Sequence, residues 1–482
     1  MAESTTSTRE STETESGLRR TMTSRHLVMI ALGGVIGSGL FVSSGYTISQ
    51  AGPLGAVLAY AVGALVAYMV MSGLGELSAK HPVAGGFHAH ATRDLGPAWG
   101  FATAWLYWLC WAVALASEFT AAGLLMQRWF PSISVWVFSL IFAALLFALN
   151  AISSRVFGET EFWFALIKVA AVLLVIVVGV ATIIGINPAS EAGAIGFSNF
   201  QTEDGLFPTG ITGVLVTILS VFYAFSGTEL IGVAAGEAKN PQLSIPRAIR
   251  TAVVRLTVFF IGAIVVIAAI IPFSEAGANE SPFVTVLDAA GLPAGADIMN
   301  FVIITALLSA GNSGLYSCAR MLHSMGAAGQ APKALSKTNS RGIPMLALSL
   351  SMLGGLVSLF SSFIAAESLF LALVSIAGFA VVAVWIVICA SHLSFRRHYV
   401  AVHGSTDSLP YKAPLFPILP IIALVLLAAS LIGVGFDPVQ RPALYFGVPF
   451  TLACLGYYRW RHGAGVFSPQ REAASSGTDR AA

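Results

Sequence analysis

Ile218-Leu-Ser-Val-Phe-Tyr-Ala-Phe-Ser-Gly-Thr-Glu-Leu-Ile-Gly-Val-Ala-Ala-Gly-Glu237 lies within an apolar run from about 211 to 235. Such a run is long enough to cross a bilayer as a helix, which takes ~20 residues. A spanning helix does not ordinarily carry Ser226, Gly227, Thr228 and Glu229 in succession. Gly loosens the helix, Ser and Thr offer competing hydrogen bonds, and Glu is costly in hydrocarbon. Backbone released from a helix at this depth must be buried in protein or line a water-filled cavity. The stretch therefore reads as a helix broken at a polar site.

The first apolar segment, about 26–49, has the same character, with Gly33-Gly-Val-Ile-Gly-Ser-Gly-Leu-Phe41 inside it. Two interrupted segments, five apart in order, point to a secondary transporter built from inverted repeats. Composition agrees with a polytopic membrane protein. The 482 residues are 56% hydrophobic and only 10% charged, against roughly 25% charged in soluble domains, and the mean hydropathy is +0.81. A net charge of +2, with the basic residues scattered among loops, gives no basis for a nucleic-acid partner. Cys110, Cys318, Cys389 and Cys454 each fall in an apolar segment without metal-ligand spacing, so they read as buried thiols. No metal site and no cofactor is expected. The polar start lacks the apolar core of a cleaved signal, and residues 1–23 and 464–482 read as disordered cytoplasmic tails.

Twelve apolar segments can be placed, at about 26–49, 54–74, 97–126, 133–152, 161–185, 211–235, 254–272, 296–325, 343–364, 367–392, 416–434 and 442–460. With the N-terminus inside, the inner loops hold Lys80, Arg93, Arg155, Lys239, Arg247, Arg250, Lys333, Lys337, Arg341, Arg396, Arg397 and Lys412. The outer loops hold only Arg128 and Arg441. This asymmetry places both termini in the cytoplasm.

Four further positions carry chemistry. In segment three, Tyr107, Trp111 and Glu118 share one helical face. An aromatic face above a carboxylate suits a cationic ligand; the alternatives are aromatic packing and a Glu118 near the outer water interface. In segment five, Lys168 falls inside the apolar run, where desolvation eases proton loss from an ammonium. It either takes part in a proton-coupled cycle or snorkels to the inner interface. His88 and His90, in the inner loop 76–96, are at i, i+2 and read as solvated loop residues, although the loop can form a short interfacial helix.

At this point the sequence resembles a known family, the bacterial amino acid permeases of the amino acid–polyamine–organocation superfamily. The resemblance rests on Arg25-His-Leu-Val-Met-Ile-Ala-Leu-Gly-Gly-Val-Ile-Gly-Ser-Gly-Leu-Phe41, Gly75-Glu-Leu-Ser78, Phe162-Trp-Phe-Ala-Leu-Ile-Lys-Val169, Gly227-Thr-Glu-Leu-Ile-Gly-Val-Ala-Ala-Gly-Glu237 and Ser309-Ala-Gly-Asn-Ser-Gly-Leu-Tyr316. It covers about 20–460. Within the family, Glu280-Ser-Pro-Phe-Val284, Ile376-Ala-Gly-Phe-Ala-Val-Val-Ala-Val-Trp385 and Ile388-Cys-Ala-Ser-His392 are most similar to S-methylmethionine permeases, then to arginine and lysine permeases.

The resemblance implies an all-α polytopic membrane protein with about 12 transmembrane helices in the leucine-transporter (LeuT) fold, a 5+5 inverted repeat plus two helices. The repeats would be 24–185 and 186–392, followed by 393–463. It implies that the backbone at Ile36, Gly37, Ser38 and Gly39 takes a substrate α-carboxylate. Carbonyls around Phe225, Ser226 and Glu229 would take the α-amino group, with the Glu229 charge added and Gly227 also at the substrate, and Tyr107 and Trp111 would line the cavity. Lys168 would be the proton-coupling residue, and Glu118 and Glu237 are side-chain or exit-path carboxylates. Proton-driven import of a cationic amino acid into a bacterium, across its inner membrane, is the function implied. A neutral amino acid permease or exchanger and a transporter-like nutrient sensor are the alternatives. A membrane enzyme is disfavoured by the lack of a His/Cys cluster, and direct ATP drive by the lack of a Gly-x-x-x-x-Gly-Lys-Ser/Thr loop. The substrates and partners implied are an amino acid, protons and the lipid bilayer.

Overall fold

The computed structural model describes residues 23–83, 86–152, 157–187, 194–233, 235, 238–463 and 465–470. Among the described residues every regular element is a helix, apart from one isolated bridge between Thr202 and Gly205. Segment one is broken. Helix α1 (Ser24–Val35) stops, Ile36 and Gly37 bend, and the chain resumes as α2 (Ser38–Phe41). Val42 leads into α3 (Ser43–Lys80), which is two helices joined directly at Gly52 (φ 71°), ahead of Pro53. The short α4 (Phe87–Asp94) connects to α5 (Pro97–Met126), α6 (Val135–Ile152) and α7 (Phe157–Ile183).

Segment six is broken as well. Helix α8 (Gly210–Ala224) ends, a turn runs through Phe225–Glu229, and α9 (Leu230–Val233) follows. The remaining helices are α10 (Pro241–Ile270), the short α11 (Pro282–Ala289), α12 (Pro293–Ala327), α13 (Met345–Gly355), α14 (Ala366–His403), α15 (Ile418–Val434) and α16 (Pro442–His462). By length and composition, 8 helical stretches among the described residues are long and apolar enough to cross a membrane. The two broken segments together with α15 and α16 occupy the remaining apolar segments of the sequence.

Burial separates core from periphery. Within their apolar windows, 83% of α5 and 78% of α14 is buried, against 28% of α6 and 33% of α7. Leu149, Val177, Val258, Ile432 and Leu452 turn outward as an apolar surface, as expected of helices facing lipid. The interior is closed by aromatic contacts, among them Phe225 against Phe260 with ring centroids 4.9 Å apart. All four cysteines are buried free thiols.

Several boundaries move from their expected places. Helix α10 starts at Pro241 rather than near 254, and α14 continues to His403 rather than ending near 392. Both extensions carry arginines, which lower hydropathy but are good helix formers. His88 and His90 are not solvated loop residues. They sit on α4, where His90 is 1% exposed with Ser78 Oγ 3.4 Å from its Nε2. Burial pushes the His90 pKa well below the usual imidazole range, with Arg93 adding repulsion. Val466 and Phe467, placed in the tail by the sequence, pack at the start of α5. There Ala98 N–H donates to the Val466 carbonyl at 3.0 Å, and Phe467 meets Trp99 edge-on. On the opposite side, Arg128 ties α5 to α11 and α12 through Asp288 (2.9 Å) and Asp297 (2.7 Å).

Candidate functional site

The two breaks face each other. At Gly39 a Cβ would lie 2.7 Å from the Ala224 Cα, and at Gly227 a Cβ would lie 3.1 Å from the Gly34 carbonyl carbon. Gly227 also has φ 96°, a left-handed conformation that disfavours residues with a side chain. The breaks thus bring freed backbone from segments one and six into one buried region, as non-helical backbone at membrane depth requires.

Helix α5 supplies the carboxylate on the α2 side. Glu118 is 5% exposed. It accepts from Ser38 N–H at 3.2 Å to each oxygen and from Ser38 Oγ at 2.9 Å. Tyr223 OH lies 3.5 Å from the same carboxylate and 2.8 Å from Ser117 Oγ. Glu118 is therefore deep inside the protein rather than at the outer water interface. The Ser38 backbone, which the resemblance implies for a substrate carboxylate, is held in this structure by the Glu118 carboxylate.

The segment-six side holds Glu229, 1% exposed. Its oxygens accept from Gly227 N–H at 2.9 Å and from Trp385 Nε1 at 3.4 Å. Thr228 Oγ1 donates to the Phe225 carbonyl at 3.1 Å, which stabilises the turn. Tyr107 and Trp111 lie beside this region at 2% and 6% exposure. Their rings meet at 6.3 Å, nearly perpendicular. The Tyr107 hydroxyl, beside Glu229, and the Trp111 indole N–H are buried, and neither makes a well-aligned hydrogen bond among the described residues. Trp111 also packs against the break, its Cη2 lying 3.9 Å from where a Gly34 Cβ would be.

Lys168 does not snorkel. The side chain is fully buried, and its Nζ donates to the Gly33 carbonyl at 2.7 Å. Gly33 is in the last turn of α1, where helical carbonyls lose their intrahelical partners. The ammonium thus caps the end of the broken helix. Ile36 completes the α1 side, and Ser226 sits in the segment-six turn. Glu237 lies outside the described residues. Sequence reasoning missed Tyr223, Ser117 and Trp385. Trp385 stands in a quoted stretch, but nothing in its spacing tied it to Glu229.

A separate cavity of about 350 Å³ lies between α6, α7, α12 and α13. Its walls are mostly apolar, with Ser309 and Asn312 on one side, where Asn150 Nδ2 donates to Asn312 Oδ1 at 2.6 Å. Arg320 is its one charged lining residue, and neither Glu118 nor Glu229 lines it, so it offers no carboxylate to an amino group.

With the breaks and their polar groups placed, comparison with known proteins decides the family. A family model described as amino acid permease matches residues 26–462. The chain belongs to the amino acid permease family. The permease is 51% identical to amino-acid permease RocE of Bacillus subtilis, over 92% of this chain and 94% of that one. It is 40% identical to the lysine-specific permease LysP of Escherichia coli, over 92% and 93%. It is 38% identical to the gamma-aminobutyric acid permease of Bacillus subtilis, over 93% and 95%. The permease is accordingly a multi-pass membrane protein that transports an amino acid, and not an enzyme.

The packing of the breaks gives a direct prediction. Gly39→Ala sets a methyl group against backbone that cannot rotate away, and overpacking of this kind costs about 1–3 kcal/mol. Substrate affinity is expected to fall on the order of 10-fold or more. Gly456→Ala on α16, where a Cβ meets nothing within 4 Å, leaves it unchanged. Calorimetric titration of both purified variants checks this; equal affinities would remove the close approach from the site.

Proposed function

We propose that the permease couples inward proton movement to import of an amino acid with a cationic side chain. The observation that carries this reading is charge balance at the breaks. Glu118 and Glu229 bring two buried carboxylates, and Lys168 brings one ammonium. Buried charge is tolerated when paired, so with both carboxylates ionised a ligand of net positive charge completes the balance. An arginine, a lysine or the sulfonium of S-methylmethionine meets that condition.

The substrate enters between the breaks. Its α-amino group meets carbonyls around Phe225, Ser226 and Gly227, and its cationic side chain pairs with a carboxylate near Tyr107 and Trp111. Their buried donors fit a polar ligand atom, and their rings fit a cation. The α-carboxylate binds Ile36–Gly39 when Glu118 withdraws from Ser38. Lys168 holds the end of α1 while protonated; loss of its proton weakens that hold and its attraction to Glu118. The halves 24–185 and 186–392 act as the two repeats, in the bacterial cytoplasmic membrane with both termini inside, as the Lys/Arg asymmetry supports. The resemblance to a lysine-specific permease points the same way.

The test is uptake into proteoliposomes under an imposed inward proton gradient. Labelled arginine, lysine, S-methylmethionine and a neutral amino acid are compared. One cationic substrate should accumulate above equilibrium, and accumulation should collapse with a protonophore. Uptake of the neutral substrate alone would sink the charge argument. Cationic uptake indifferent to the gradient would sink proton coupling and leave exchange.

A further inference from the structure

A second cavity, of about 630 Å³, opens between α3 and α10 at the end of the molecule that carries the basic loops. Its walls include Tyr68 and Ser72 of α3, Tyr411 of the segment after α14, and Arg247, Arg250 and Arg255 of α10. The three arginines are exposed. None of them forms an ion pair among the described residues, whereas Arg93, Arg128 and Arg396 all do. Helix α10 carries no Asp or Glu from Pro241 to Ile270. The nearest buried carboxylate on α3, Glu76, is already bonded to Arg396. Three guanidiniums therefore share one groove, and among the described residues no carboxylate pairs with them.

Their spacing supplies the second observation. Arg247, Arg250 and Thr251, Val254 and Arg255, and then Val258 follow the i, i+3/i+4 stripe of one helix face. Val254 is 53% and Val258 62% exposed, continuous with the lipid-facing surface. From Arg247 to Arg255 the stripe climbs ~12 Å. It passes from a basic, hydroxyl-bearing end to a purely apolar one. A soluble phosphate needs only the first half of that stripe. A molecule with a phosphodiester at one end and acyl chains at the other uses all of it.

The geometry points to a binding site for an anionic phospholipid. Its phosphodiester lies among the three arginines and the tyrosine hydroxyls, and its acyl chains run along Val254 and Val258. Guanidinium groups offer phosphate paired donors, and each basic group at a membrane surface favours anionic lipid by about fivefold, so three favour it by roughly a hundredfold. Because α10 packs against both α3 and α1, a bound lipid would hold segments two and seven together beside the broken helix. The inference is independent of substrate identity and of proton coupling.

Native mass spectrometry of the full-length detergent-solubilised permease, with phosphatidylglycerol or phosphatidylcholine added in turn, tests it. Wild type is expected to retain phosphatidylglycerol with about a hundredfold preference, and R247Q/R250Q/R255Q to lose that preference. A control, K333Q/K337Q/R341Q, removes the same charge from an exposed loop on the same side and keeps it. If the triple variant does not fold, Arg255→Gln alone should lower retention about fivefold. Three results each overturn the proposal. They are equal retention of the two lipids by wild type, equal loss in variant and control, or displacement of the lipid by soluble glycerol phosphate at comparable concentration. The last would make the groove a free-anion site.

Discussion

Lys168→Ala is expected to abolish accumulation of substrate against its gradient while the protein still inserts and folds. The side chain lies wholly inside the bundle and donates to Gly33 at the end of α1. Truncation leaves that carbonyl unpaired, at a cost of about 1–3 kcal/mol. It also removes the positive charge opposite Glu118, so the site keeps two carboxylates and no cation. Lys168→Arg separates the two effects. A guanidinium restores charge and donors but does not deprotonate at physiological pH. Gradient-driven uptake should be absent in both variants, whereas counterflow exchange should survive better in Lys168→Arg. The measurement is the steady-state accumulation ratio in proteoliposomes beside counterflow under the same conditions. A Lys168→Ala protein that concentrates substrate like wild type would remove the lysine from coupling altogether.

The second large effect is expected at the other end of α3. Glu76 is fully buried, and Arg396 of α14 grips it through Nε at 2.6 Å and through Nη2. Ala413 N–H donates to the same carboxylate at 2.6 Å, and His392 Nε2 lies 3.3 Å away. Segment two, segment ten and the chain that follows it are thus joined by one buried charge cluster. Arg396→Met leaves a buried carboxylate without its main partner, which costs about 3–5 kcal/mol. The melting temperature in detergent should fall by on the order of 5–10 °C. Glu76→Met/Arg396→Met together should recover much of that loss, because a well-packed apolar pair avoids the desolvation cost. A single variant as stable as wild type would mean that water reaches the cluster.

The breaks and Lys168 were legible because each violates a pattern. Gly, Ser, Thr and Glu in an otherwise unbroken apolar run, and one lysine inside another, are local anomalies that need no knowledge of neighbours. The partners were not legible, since they are set by packing between distant segments. Glu118 was placed on the right face of segment three, but its depth was not, because Ser38 stands 80 positions away. Glu76 lay in the quoted Gly75–Ser78 stretch without a role, since Arg396 was counted as a loop residue beyond the end of segment ten. The arginines of α10 were misplaced for the same reason. Hydropathy ends a helix at its first cluster of charges, whereas the backbone continues until its hydrogen bonding stops. A stripe at i, i+3 and i+4 from Arg247 onward was the signal available and unused.

The junction at Gly52 has a mechanical consequence. No loop separates the outer half of segment one from segment two; they meet at a single residue. Whatever shifts α2 must therefore drag the long arm of α3 with it, for there is no slack to absorb the displacement. That arm runs from Pro53 to Glu76, ~35 Å at helical rise, and ends in the cluster that clasps α14. The second half of the broken segment and segment two thus form one arm bent at Gly52, with the break at its short end and the Glu76–Arg396 clasp at its long end.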